Sequence, residues 1–125
     1  MSSDTENSEC LFCGAGFEAQ IVETHRSVVA VTDSTPVSPG HMLIVTLRHT
    51  EDVFSMTPDE RTDAMEMIGI LKRRALSLDP SITGFNIGAN CGVSAGQQVM
   101  HAHIHFIPRR GGGALKGVIR NKMTY

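Results

Sequence analysis

No apolar run in this 125-residue chain exceeds a few residues, far short of the roughly twenty needed to cross a bilayer, so no membrane span is expected. Nor is there a basic excess. The formal net charge is -2, which argues against a nucleic-acid partner. Cysteine is scarce and odd in number, three in all, so a disulfide framework is excluded. The opening MSSDTENSE carries three acids and neither a basic nor an apolar segment, unlike a secretory signal. A reducing, cytoplasmic compartment is the expectation. Internal repeats are absent too. What remains is ordinary globular composition, 41% apolar and 19% charged, at a length suited to one core and too short for two ordinary domains.

Aromatics are few: no tryptophan, one tyrosine, five phenylalanines. Histidine is not. Three of the six histidines fall within the five residues His101–His105. The segment His101-Ala102-His103-Ile104-His105-Phe106-Ile107 has strict period two, so on a strand all three imidazoles leave one face and Ala102, Ile104 and Phe106 the other. Three imidazoles aligned on one face are hard to explain as core residues, since each would need its own partner for a ring nitrogen. Two chemistries suit such a row. Three imidazoles and a water can hold a catalytic zinc. Alternatively, one imidazole attacks phosphorus while its neighbours hold phosphate oxygens. The preceding Asn90–Gln98 stretch has glycines, a hydroxyl and amides that can face an anion, but not the Walker pattern.

Around this row the chain reads as an α+β domain. Ile21–Glu23 and Ser27–Val31 are expected strands with a turn at Thr24-His25-Arg26, and residues 32–40 a proline-rich loop. His41–Leu47 has apolar residues on both faces, as a central strand covered on both sides would. Thr57-Pro58-Asp59-Glu60 is a capping box opening a helix to Leu78, with Ala64, Ile68, Leu71, Ala75 and Leu78 as its apolar stripe. Thr83–Ala89 and Val99–Pro108 complete an antiparallel sheet of about five strands. Residues 1–9 read as a mobile leader, 10–109 as the domain and 110–125 as a tail.

Gly96-Gln97-Gln98-Val99-Met100-His101-Ala102-His103-Ile104-His105-Phe106-Ile107-Pro108-Arg109 resembles the motif of the histidine triad (HIT) family. Pro39-Gly40-His41, Gly84–Asn90 and Cys10-Leu11-Phe12-Cys13 extend the likeness over residues 10–109, and the chain resembles bacterial HIT nucleotide hydrolases with an N-terminal Cys-x-x-Cys. The resemblance implies a homodimer whose two sheets join, and hydrolysis or nucleotidyl transfer at the α-phosphate of nucleoside or dinucleoside polyphosphates. The nucleophile it implies is His103, flanked by His101 and His105 and supported by His41. Asn90, Gly96, Gln97 and Gln98 would meet the phosphate, Asp33 the ribose hydroxyls, and Leu11, Phe12 and Val31 the base. A loop-capping role for Asp33 competes with the ribose role. The resemblance further implies a structural zinc held by Cys10, Cys13, His49 and His101, and no organic cofactor. A purine nucleoside phosphoramidase and a low-turnover nucleotide-binding protein are the competing functions. In each case the partner is a small nucleotide.

Overall fold

The computed structural model describes Cys10, Phe12, Cys13 and residues 17–111. Five strands form one antiparallel sheet: β1 (Ile21–His25), β2 (Val28–Thr32), β3 (Met42–Thr46), β4 (Ile82–Gly88) and β5 (His103–Arg110), in the spatial order β1-β2-β3-β5-β4. A single long helix, α1 (Pro58–Leu78), lies between β3 and β4 in sequence.

The helix begins where its capping box requires. The Glu60 amide donates to Thr57 Oγ1 at 3.1 Å, and the Thr57 amide donates to Glu60 Oε1 at 2.8 Å. Glu60 also takes Arg48 in a two-pronged pair, Nη2 to Oε1 at 2.8 Å and Nε to Oε2 at 3.0 Å, which ties the exit of β3 to the helix start. Thr57→Ala should lower stability by about 1 kcal/mol in urea unfolding. Hydrogen bonding from Arg48 holds the Glu60 carboxyl below the usual carboxylate range. A depressed folded-state value stabilises above the unfolded value of about 4 and is lost as pH falls through the folded one. Arg48→Met should therefore reduce the loss of stability measured on acidification below about pH 4.

Several boundaries differ from the sequence pattern. Strand β1 runs on to His25, and the hairpin turn is Arg26-Ser27, with Arg26 in the left-handed region at φ 54°. A tertiary anchor sets that turn. Asp63 Oδ2 on α1 accepts from the Ser27 amide (3.2 Å) and hydroxyl (2.6 Å). Leu47 lies past the end of β3 and is 58% exposed. On α1, the buried face is Glu60, Asp63, Ala64, Met67 and Leu71, one position rotated from the apolar stripe, while Leu78 is 72% exposed. Strand β5 starts at His103, so His101 precedes it: the Ala102 amide leaves the ladder for the Thr50 carbonyl at 2.7 Å.

Both faces of the sheet are covered near its centre. Ile44, Phe106, Val28 and Ala30 pack with Ala64, Met67 and Leu71 of the helix. On the opposite face Val29, Val31, Leu43 and Val45 pack with Phe12, Phe17 and Ile21. His103 pairs with Val45 and His105 with Leu43 in the ladder, so both imidazoles stand on the face away from the helix.

Candidate active site and metal centre

A cavity of about 320 Å³ opens on that face. His103 and His105 of β5, Asp33 after β2, and Asn90, Gly96 and Gln98 of the loop before β5 all line it. Val31 and Phe12 form part of its apolar wall. The structure thus brings together eight residues singled out from the sequence. His41 and His101 stand behind the wall, both fully buried. Gln97 stands apart from the lining. Its Oε1 accepts from the Gly92 amide at 2.7 Å and its Nε2 donates to the Glu51 and Val99 carbonyls at 2.7 and 3.0 Å, so it braces the loop. Gly96, which closes that loop, has φ +97°, a conformation that favours glycine. Leu11 lies outside the described residues.

The cavity has lining residues that sequence reasoning missed: Gln20, Thr32, Ser34, Thr35, Leu43 and Val99. Two carried a usable signal. Leu43 alternates with Met42 and Ile44 on β3 and so shares a face with His105. Thr35 follows Asp33 by two positions, the spacing of an Asx turn, and its amide donates to Asp33 Oδ1 at 2.8 Å. Asp33 therefore caps its loop and lines the cavity at once.

The hydrogen-bond network assigns the ring protons. His103 Nδ1 lies 2.7 Å from the His101 carbonyl and must donate to it, which puts the lone pair on Nε2. The Val37 amide donates to His41 Nδ1 at 3.2 Å, so His41 carries its proton on Nε2, 2.9 Å from His105 Nδ1 and 3.3 Å from Asp33 Oδ2. His105 accepts at Nδ1 and holds its own proton on Nε2. One imidazole thus presents a lone pair and its neighbour, 5.4 Å away between ring centres, carries an Nε2 proton. Burial pushes the His103 pKa down, which keeps it neutral at pH 7.

Beside the cavity, Cys10, Cys13, His49 and His101 bring four donor atoms within 4.8 Å of one another. Cys10 Sγ is 3.3 Å from His101 Nδ1, and Cys13 Sγ is 3.2 Å from both His101 Nδ1 and His49 Nδ1. Tetrahedral ligands of one zinc stand about 3.3–3.8 Å apart, close to these separations. His101 Nε2 donates to the Thr46 carbonyl at 2.8 Å, so its Nδ1 lone pair faces the sulfurs, the backbone-anchored arrangement common around zinc-binding histidines. Burial, with help from Cys10, pushes the Cys13 thiol up to about 12. A bound cation would deprotonate both half-buried thiols, and this donor set can coordinate one.

Residues 16–112 match the HIT domain. The chain belongs to the HIT family. It is 35% identical to an uncharacterised HIT-like protein of Saccharolobus solfataricus, covering 79% of this chain and 73% of that one. It is 32% identical to an AP-4-A phosphorylase of Mycobacterium tuberculosis over 78% of this chain, which spans 50% of that relative. The crystal structure of a Zn-bound histidine triad family protein from Mycobacterium smegmatis superposes with a TM-score of 0.77 at 27% identity, covering 88% of this chain and 81% of that one. In this HIT protein, no helix among the described residues is long and apolar enough to cross a membrane.

Proposed function

We propose that the protein hydrolyses, or transfers the nucleotidyl group of, nucleoside or dinucleoside polyphosphates at the α-phosphate. The observation that carries this reading is the proton pattern of the histidines. His103 presents an Nε2 lone pair fixed by the His101 carbonyl, and His105 beside it carries an Nε2 proton. His103 Nε2 attacks the α-phosphorus, a P–N bond forms, and the bond to the leaving phosphate breaks. His105 donates a hydrogen bond to the phosphoryl oxygens, with Asn90 and Gln98 beside it. Water then attacks the nucleotidyl-His103, releasing a nucleoside monophosphate and the free imidazole. Asp33 receives the ribose hydroxyls, and Phe12, Val31 and Leu43 pack on the base. The Mycobacterium tuberculosis relative's AP-4-A phosphorylase activity supports the same substrate class.

Cys10, Cys13, His49 and His101 would hold a zinc that staples the N-terminal turn to the sheet. The catalytic domain begins at residue 10 and runs through the end of β5 at Arg110, one residue past the boundary expected from the sequence. Two chains join their sheets through β4, an edge strand that carries no charged residue and leaves Ile87 41% exposed.

Hydrolysis of diadenosine tetraphosphate in ¹⁸O-water tests the reading. Attack at the α-phosphorus places the label in AMP and none in ATP. Label in ATP alone, or no cleavage of this or any other dinucleoside polyphosphate with either water or inorganic phosphate as acceptor, contradicts it. Because burial lowers the His103 pKa, its neutral form persists below the ordinary value. The acid limb of kcat/KM should accordingly fall below about pH 6.5, measured over pH 4–8.

A further inference from the structure

Phe12 belongs to both centres. It lies within the Cys10–Cys13 turn, which is closed by the Cys13 amide donating to the Cys10 carbonyl at 3.0 Å. Its ring stands edge-on to His101, 5.7 Å between centres at 76°, and to His103, 5.3 Å at 77°. It also lines the cavity with Val31 and Leu43. Among the described residues, the polar ties from this turn to the sheet run through the two sulfurs to His101 and His49. Phe12 packs on the sheet beside Phe17, and the sulfur contacts supply the polar hold. A cation shared by both cysteines and both histidines would hold it there.

We infer that metal occupancy at Cys10, Cys13, His49 and His101 sets nucleotide affinity, with Phe12 as the coupling residue. The inference rests on the nucleotide reading above. With the metal bound, the turn is clamped and Phe12 is the wall against which the nucleoside packs beside His103. Without it the turn loses that clamp, and Phe12 no longer forms a fixed wall of the cavity. Coupling of this kind is reciprocal, so bound nucleotide must tighten the metal by the same factor. An aromatic face against a base contributes enough to change affinity about 10- to 100-fold.

The test is AMP titrated by calorimetry into the zinc-loaded protein and into protein stripped by chelator and dialysed. AMP should bind about 10- to 100-fold more weakly to the stripped protein, and one equivalent of Zn²⁺ should restore it. On the loaded protein alone, saturating AMP should shift the zinc equilibrium against a chromophoric chelator by the same factor. Phe12→Ala should retain its zinc, bind AMP weakly, and show no effect of AMP on zinc retention. Equal AMP affinity with and without zinc overturns the inference, as does AMP-strengthened zinc retention that persists in Phe12→Ala. Should the stripped protein unfold, the zinc equilibrium of the loaded protein and of Phe12→Ala decides. Failure of AMP and of every other nucleotide to bind even the zinc-loaded protein is a different result: it overturns the nucleotide reading itself.

Discussion

Replacing His103 by alanine should lower turnover of a dinucleoside polyphosphate by about a thousandfold or more, the scale of losing a reacting group. The cavity should survive the change. His103 is one of several lining residues, and the phosphate and ribose contacts proposed for Asn90, Gln98 and Asp33 do not involve it. AMP should accordingly bind within a few-fold of the parent, so the loss falls on kcat and not on affinity. His105→Ala should cost less, because it removes a donor to the phosphoryl oxygens and leaves the attacking nitrogen in place. His41→Ala should be milder for catalysis but damaging to stability. His41 is fully buried, and its removal strands the Val37 amide that donates to its ring and the His105 nitrogen that accepts from it. A steady-state comparison of the three variants checks the order.

The second large effect is expected at the metal centre. Protein purified without added metal should contain close to one zinc per chain. Stripping that zinc should lower the thermal midpoint by more than about 10 °C, given how much a tightly bound ligand stabilises a domain of this size. Thiolates and imidazoles bind only when deprotonated, so acidification should release the ion and lose the same stability. His49→Ala should lose the ion, and His103→Ala should keep it. The distinction follows from the structure: His49 Nδ1 lies 3.2 Å from Cys13 Sγ, whereas His103 Nδ1 is committed to the His101 carbonyl. Elemental analysis of the two variants reads this directly. A metal-free parent whose melting is unchanged by chelator ends the zinc assignment.

The parts of the molecule legible in the sequence are those fixed by local chemistry. Thr57, Pro58 and Glu60 mark the helix start because a capping box is satisfied within one turn. The alternation of Leu43 and Val45 with Met42 and Ile44 announces a strand covered on both sides, and β3 is central in the sheet. Period two among the histidines placed His103 and His105 on one face, as the register with Val45 and Leu43 has them. It holds for His101 too, whose ring meets Phe12 on that face while Ala102 packs with Phe106 on the other. What differs is the strand start, because the Thr50 carbonyl takes the Ala102 amide out of the ladder and nothing near Ala102 in sequence signals so distant a partner. The expected Thr24-His25-Arg26 turn falls instead at Arg26-Ser27 for a similar reason, since its anchor is Asp63 on the helix. Met67 escaped the stripe because Ile68 and Leu78 offer an equally apolar spacing, and only the position of the sheet decides between the two rotations. At the site, Gln97 and Gln98 are indistinguishable as neighbouring amides. The loop turns one inward to brace Gly92, Glu51 and Val99 and the other toward the cavity. The contact of Phe12 with both His101 and His103 joins residues some ninety positions apart and had no local signature.

The central claim is that His103 becomes covalently linked to phosphorus. Rapid quench of the zinc-loaded protein with substrate radiolabelled at the α-phosphate measures it most directly. Labelled protein should appear within the first turnover. The label should be stable to base and labile to acid, as a phosphorus–nitrogen bond is, and should map to the peptide carrying His103. It should be absent from His103→Ala. Protein that never takes up label, together with a His103→Ala variant that keeps more than about a tenth of the parent rate, would contradict the account.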